Sequence, residues 1–249
     1  MSRPYVKINT CYQRDEKGVI DIMSWATPEI GYLASNSWLW TEKVDGTNIR
    51  LEYAADGSFR GNEHAFINGR SDQAQIPPFL VDALVALMEQ APFETVFPDL
   101  DGASVTLYGE GYGPRIQKGG NYGDTPAFVL FDVMVGDWWL RWEDVKDVGR
   151  RLGVDVVPEV GIFPIRKSGF GLGAWPGAPR DAAGLPIVDA ETLMTGNGFV
   201  SRWGDHFQPE GIVGRPLVDL NDRAGRRVLT KLKFKDYERW ERINGPWMG

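Results

Sequence analysis

The chain has 249 residues, 34 acidic against 27 basic for a formal net charge of −7, and 43% of its residues are hydrophobic. That is enough chain to bury one large core or two modest ones, and the acidic balance excludes a surface coated in basic residues, leaving any nucleic-acid contact to a local patch. No apolar run approaches the roughly 20 residues of a membrane span, and the start MSRPYVKINT lacks the apolar stretch of a signal peptide.

A single cysteine, Cys11, can form no internal disulfide and fits a reducing, cytoplasmic setting. One cysteine and two histidines, His64 and His206, do not make a zinc set. Any metal is therefore expected to be a hard cation held by carboxylates.

In chain order, the first informative stretch is WLWTEKVDGTNIRLEY, from Trp38 to Tyr53. Trp38 and Trp40, then Ile49, Leu51 and Tyr53, alternate with polar residues, which predicts two half-buried strands. Asp45-Gly46 is a turn signal between them, so Lys43 ends the first strand. Alone, the stretch fits a surface hairpin with a solvated lysine equally well. IPPFLVDALVALMEQ predicts a helix with prolines at its start and Leu84, Leu87 and Met88 on one face. SVTLYGEGYG and AFVLFDVMVGDWWLRW read as strands rich in β-branched and aromatic residues. RWEDVKDVGRRLG predicts a second helix ending at Gly153. VDVVPEVGIF, EGIVGRP and RVLTKLKF read as further strands, and the Gly- and Pro-rich segment from Lys167 to Gly184 as a surface loop. Strands dominate and helices are interspersed without a βαβ rhythm, so the expected class is α+β with antiparallel sheets.

The stretch DRAGRRVLTKLKFKDYERWER concentrates Arg223, Arg226, Arg227, Lys231, Lys233, Lys235, Arg239 and Arg242. It is either a polyanion-binding patch or a charged, solvated face. Tryptophans such as those of WLW and DWWLRW could stack on bases, although such residues more often fill a core.

Five separated pieces bear on chemistry: EKVDGTN with Lys43, NGRSD with Arg70, LYGEGYG with Glu110, VLFDVMV with Phe131 and Asp132, and PEGIVGRP with Glu210 followed by LTKLKFKDY with Lys231 and Lys233. In this order and spacing they resemble the covalent nucleotidyltransferases, the polynucleotide ligases and capping enzymes, over about Trp40 to Tyr237. Asn48 after the glycine and the run GEGYGPRIQKGGNY look most like the phage-type ATP-dependent RNA ligases. The resemblance implies an antiparallel-sheet-rich, ATP-grasp-like nucleotidyltransferase core. Capping enzymes and most ATP-dependent DNA ligases of that group carry a C-terminal OB-type domain, but only about a dozen residues follow Tyr237 here. The expected organisation therefore departs from theirs: a single adenylyltransferase domain over 1–249, with 1–37 an N-terminal extension packed on it and no C-terminal OB-type domain.

By that resemblance Lys43 attacks the α-phosphorus of ATP and carries AMP as a phosphoramidate. An ordinary lysine is protonated at neutral pH, so cationic neighbours such as Lys231, Lys233 and a bound Mg²⁺ or Mn²⁺ must favour its neutral form. Lys231 and Lys233 alternate with Leu232, which puts both on one strand face, where they can neutralise phosphate charge. Glu210 is implied as a metal ligand and catalytic group, and Glu110 as a metal and ribose contact, lying between glycines where backbone can approach a ligand. Phe131 is implied to stack on adenine. Asp132, inside an apolar run, needs a partner and is assigned to the nucleotide site or to a buried ion pair. Glu42 (toward the adenine amino group), Asn48 and Arg70 complete the nucleotide-binding set, and Arg50 and Arg115 are candidate phosphate contacts.

The expected activity is ATP-dependent joining of 5′-phosphate and 3′-hydroxyl RNA ends through lysyl-AMP and a 5′-adenylated strand. A minimal DNA ligase is the enzyme alternative, with DNA or hybrid ends as partners. A nucleic-acid-binding module of the same fold that has lost catalysis is the alternative of a different class. No membrane contact is expected, and the sequence does not identify a protein partner.

Overall fold

The protein is described from a computed structural model, which covers residues 3–54, 66–166, 189–195, 199–203 and 207–246. The Lys167–Gly184 segment and both histidines lie outside the described residues. Along the chain come β1 (Asn9–Thr10), β2 (Tyr12–Arg14), β3 (Ile20–Trp25), α1 (Pro28–Leu33), β4 (Trp38–Lys43), β5 (Thr47–Tyr53) and β6 (Ile67–Gly69). Then follow α2 (Pro78–Gln90), α3 (Phe93–Val96), β7 (Val105–Tyr112), β8 (Ala127–Val135), β9 (Trp138–Trp139) and α4 (Trp142–Leu152). The remainder is β10 (Glu159–Phe163), α5 (Ala190–Thr195), β11 (Gly211–Pro216), β12 (Thr230–Lys233) and α6 (Phe234–Asn244). This is the expected α+β arrangement, antiparallel apart from the β1–β12 pairing among the described strands.

The chain divides into two compact units, Met1–Tyr5 with Val44–Val157 and Val6–Lys43 with Pro158–Gly249. The boundary falls at Lys43–Val44, so Asp45-Gly46 does not close a hairpin: β4 and β5 belong to different sheets. Both strands are buried on both faces rather than half-buried, with Arg50 and Glu52 inside alongside the apolar residues.

In the first unit the sheet order is β6-β5-β7-β8-β9. Ile49, Leu51 and Leu107 are fully buried, and a side chain at Gly111 would strike Leu80 of α2, so glycine there lets the helix approach the sheet. α2 begins on Pro78, as the proline signal predicts, and buries Leu80, Leu84 and Met88. α4 carries Glu143 and Asp144 in its first turn and Arg150 and Arg151 in its last, complementing the helix dipole, and stops at Gly153 with φ 71°.

In the second unit the sheet order is β1-β12-β11-β4-β10, with the β2–β3 hairpin beside it in sequence. Trp38 and Trp40 have no exposed surface, and Trp40 stacks on Phe163 at 5.9 Å between ring centres. Ile212, Leu232, Phe234 and Tyr237 join this core. The tryptophans of WLW are therefore core residues. Phe234 opens α6, a helix the strand reading of RVLTKLKF did not anticipate, and the turn into it removes Lys235 from the β12 face.

Candidate active site

The second unit brings four of the candidate residues together on one sheet face. β4, β11 and β12 run side by side, with Lys43 opposite Gly211 and Gly211 opposite Lys233. Thr41, Val213 and Lys231 form the next row. Directly opposed residues project to the same side of a sheet, so Lys43, Lys231 and Lys233 share a face, and the Lys231/Lys233 alternation holds. Leu232 between them is fully buried on the other side. A Cβ at Gly211 would lie 2.0 Å from the Leu232 carbonyl oxygen, so the residue between the two lysines has to be glycine.

Glu210 enters just before β11, and its carboxylate is shared: Lys43 Nζ donates to Oε2 and Lys233 Nζ to Oε1. The three side chains are 21%, 18% and 13% exposed for Lys43, Lys233 and Glu210. Burial pushes the Glu210 carboxyl up, but the charges and hydrogen bonds of Lys43 and Lys233 outweigh it and hold it below its ordinary value. The arrangement presents two ammonium groups about one carboxylate, a set suited to binding and neutralising phosphate oxygens once the carboxylate is drawn elsewhere. Among the described residues no group of three or more His, Cys, Asp or Glu side chains could hold a metal by itself. One carboxylate with water and substrate phosphates is the coordination Mg²⁺ commonly accepts, and Glu210 fits that role.

Glu42 lies on the opposite face, next to the core, opposite Ile212 and 1% exposed. Ser201 Oγ donates to its Oε2 at 2.7 Å, and the Arg202 backbone N–H donates to Oε1. Burial raises the Glu42 carboxyl pKa, and these two donors oppose the rise. Nothing local in the sequence marks Ser201 or Arg202. The only signal is general, that a buried acid requires donors.

The first unit holds the other candidates. Asn48 on β5 faces Glu110 on β7, so they share a face. Asn48 Oδ1 is buried and has no hydrogen-bond partner among the described residues. The turn before β5 presses close, since a Cβ at Gly46 would fall 2.3 Å from the Gly111 carbonyl oxygen. On β8 a bulge interrupts the ladder: Leu130 opposes Gly109 and Asp132 opposes Tyr108, leaving Phe131 as the extra residue. Phe131 and Asp132 consequently both reach Tyr5. The Tyr5 ring meets Phe131 edge-on at 5.0 Å, and its hydroxyl donates to Asp132 Oδ2 at 2.7 Å. Asp132 thus has a tyrosine partner, Tyr5, that the sequence did not suggest.

Arg70 is exposed just after β6. Arg50 is fully buried, donating from Nε to the Gly69 carbonyl at 2.8 Å and pairing with Asp72 at 2.5 Å, so it anchors the β6 turn and does not offer a phosphate contact. Arg115 lies over the Phe79 ring at 5.1 Å. The C-terminal basic stretch is broken up by acids: Arg226 pairs with Asp222 and Arg227 with Asp219.

The family model described as RNA ligase matches residues 36–233, well over half of the chain. The chain belongs to the RNA ligase family. A comparison with curated protein sequences finds no match. Among solved structures, a variant of the Naegleria gruberi RNA ligase with ATP and manganese superimposes with a TM-score of 0.54 at 16% identity, over 95% of this chain and 63% of that one. Another variant of the same ligase with AMP and manganese gives 0.55 at 16% identity, over 94% and 63%. An archaeal ATP-dependent RNA ligase gives 0.57 at 16% identity, over 96% and 50%. These likenesses show a shared fold. This RNA ligase family chain spans less than two thirds of the length of those solved ligases, and no helix among its described residues is long and apolar enough to cross a membrane.

Proposed function

We propose that this chain joins RNA ends in an ATP-dependent reaction with a covalent enzyme intermediate. Lys43 Nζ attacks the α-phosphorus of ATP, forming a phosphoramidate and releasing pyrophosphate. AMP then passes to a 5′-phosphate, releasing the lysine, and a 3′-hydroxyl attacks that phosphate to make the phosphodiester and expel AMP. The observation that carries the reading is the sharing of Glu210 between Lys43 and Lys233 around Gly211. It supports the reading because Lys43, proposed to attack, and Lys233, proposed to neutralise phosphate charge, both lie opposite Gly211 on one sheet face.

Lys43 is a nucleophile only as the free amine, so its proton must leave before attack. Glu210 is the adjacent acceptor of its N–H. Lys231 and Lys233 would carry the charge that builds on the α-phosphate oxygens. A divalent cation, Mg²⁺ or Mn²⁺, would add Lewis-acid stabilisation of phosphate charge, and Glu210 and Glu110 are the carboxylates proposed for metal binding. Asn48, Arg70, Glu110, Phe131, Asp132 and Glu42 are proposed to bind the nucleotide. The buried, unsatisfied Oδ1 of Asn48 supports a ligand contact at that residue.

The test incubates the protein with α-labelled ATP or GTP and a divalent metal, denatures it, and asks which label stays on Lys43. Label from ATP, acid-labile and absent from Lys43→Ala, is the expected result. Label from GTP alone points to capping chemistry, and no adduct under varied metal and pH points to a binding module. Joining assays with RNA and DNA strands then separate the RNA ligase from a DNA ligase.

A further inference from the structure

The second unit contains a groove of about 400 Å³ that none of the candidate catalytic residues lines. Its walls come from residues 6–9, from 26–30 and from the turn 222–229. Four cations, Lys7, Arg223, Arg226 and Arg227, line it against two acids, Glu29 and Asp222. For a chain with net charge −7 this is a local reversal of sign.

Asp222 is already committed to local structure. Asp222 Oδ1 accepts from the backbone N–H of Ala224 and of Arg226, each at 2.9 Å, and Oδ2 accepts from Arg226 Nε at 2.7 Å. Gly225 takes φ 74° at the tip, so the 222–226 turn is a shaped loop held by its own carboxylate. Glu29 stands in the first turn of α1, where helix N–H groups favour an anion. Arg227 is paired with Asp219 and nearly buried. What faces outward is the Arg226 side chain, 67% exposed, and the exposed side chains of Lys7 and Arg223, neither of which pairs with a carboxylate among the described residues.

The groove also has a direction. Asn9, Val228 and Leu229 line it, and the chain runs from Leu229 directly into β12. Asn9 pairs with Thr230, and Thr10 with Lys231. From Leu229 to Lys233 is about 13 Å along an extended strand. The groove thus opens at the end of the strand that carries Lys231 and Lys233.

We infer that this groove is a binding site for the phosphodiester backbone of a single-stranded RNA substrate, seated on Lys7, Arg223 and Arg226 and leading along β12 toward Lys231 and Lys233. The inference rests on the RNA-joining reading above. An acidic chain repels polyanions over most of its surface, so strand affinity has to be concentrated where cations outnumber acids. Cations drawn from two segments far apart in sequence, Lys7 and the 222–229 turn, line one groove, which suits an extended polyanion.

The experiment uses the full chain and a Lys7→Gln/Arg223→Gln variant, both positions being exposed and outside the catalytic set. Binding of a fluorescent, 5′-phosphorylated single-stranded RNA is measured by anisotropy across a salt series, and ATP labelling of Lys43 is measured on the same preparations. The expected result is unchanged labelling, RNA affinity lower by about tenfold at low salt, and a log–log salt slope shallower by about 1.4, since each single-strand phosphate contact contributes about 0.7. Unchanged affinity and slope would overturn the inference. So would loss of binding to an acidic peptide while RNA binding stays intact. Should the wild type bind RNA through these residues but take no label from ATP, the groove stands and the ligase reading falls.

Discussion

Lys43 and Glu210 stand 167 residues apart in the chain yet share an ion pair, and the carboxylate's second oxygen holds Lys233. On the proposed mechanism Lys43 is needed only while the enzyme carries AMP, whereas Lys233 is needed wherever phosphate charge builds up. Lys43→Ala should abolish joining of a 5′-phosphate strand with ATP but leave joining of a chemically pre-adenylated strand without ATP. Lys233→Ala should slow both by about a hundred- to a thousandfold, the range seen when one transition-state charge donor is removed. Single-turnover assays of both variants on both substrates check the pattern. Joining of the 5′-phosphate strand by Lys43→Ala would exclude the covalent route.

Two glutamates should give opposite pH signatures. Glu210 has a lowered carboxyl pKa in the folded protein, so its contribution is present above the ordinary carboxylate value and is lost as acid titrates through the lowered one. Glu42 has a raised pKa, so its contribution is complete below the ordinary value and fades as pH rises through the raised one. Urea melts across pH 3 to 8 should therefore show Glu210→Gln less stable than wild type near neutrality, by about 1–3 kcal/mol, with the deficit shrinking in acid. Wild type is expected to lose stability as pH rises through the raised Glu42 pKa, and Glu42→Gln should lack that decline. A Glu210→Gln deficit that grows in acid would contradict the assignment.

Tyr5 and Asp132 make a two-residue test of the aromatic cluster in the first unit. Asp132 is fully buried and accepts from the Tyr5 hydroxyl. Removing that donor with Tyr5→Phe should destabilise by about 1–3 kcal/mol, the penalty of a buried acceptor losing a partner. Combined with Asp132→Asn, the loss should be smaller than the sum of the singles, because the two share one interaction. Strict additivity in a double-mutant cycle would show that the contact is energetically idle.

Gly211→Ala tests the close approach of β11 to β12. Its Cβ would meet backbone, the Leu232 carbonyl oxygen, which cannot swing aside as a side-chain tip could. A loss of about 1–3 kcal/mol in thermal unfolding is expected from the overpacking, along with weaker ATP labelling because Lys43 and Lys233 flank that residue. Gly225→Ala gives a comparison: no atom lies within 4 Å of its Cβ, so any loss there comes from its φ of 74° alone.

Much of this was legible in local pattern. Period-two alternation put Lys231 and Lys233 on one face, and the proline and glycine signals bounded α2 and α4 closely. The family order of motifs pointed to the residues that meet around Glu210. What local pattern could not carry was pairing across long separations. Arg50 looked like a free cation because Asp72 and the Gly69 carbonyl join it only in the fold. Asp45-Gly46 looked like a hairpin because a turn signal says nothing about which sheet the next strand enters. The partners of Glu42 and Asp132 lie 159 and 127 residues away, and no periodicity reports them.

The route of the chain through the two units sets an order of assembly during synthesis. Nearly all of the first unit is one continuous run, 44–157, whose strands pair with near neighbours in sequence. β4, by contrast, waits for partners supplied by residues 159–163 and 211–216. As the chain leaves the ribosome, the 44–157 run can close its own sheet while Trp38 and Trp40 still lack their cover, and the lysine face forms only after β12 has emerged. Loop closure over such separations is slow, so the Lys43, Lys231 and Lys233 face is assembled last, and until then the uncovered tryptophan pair is apolar surface open to association.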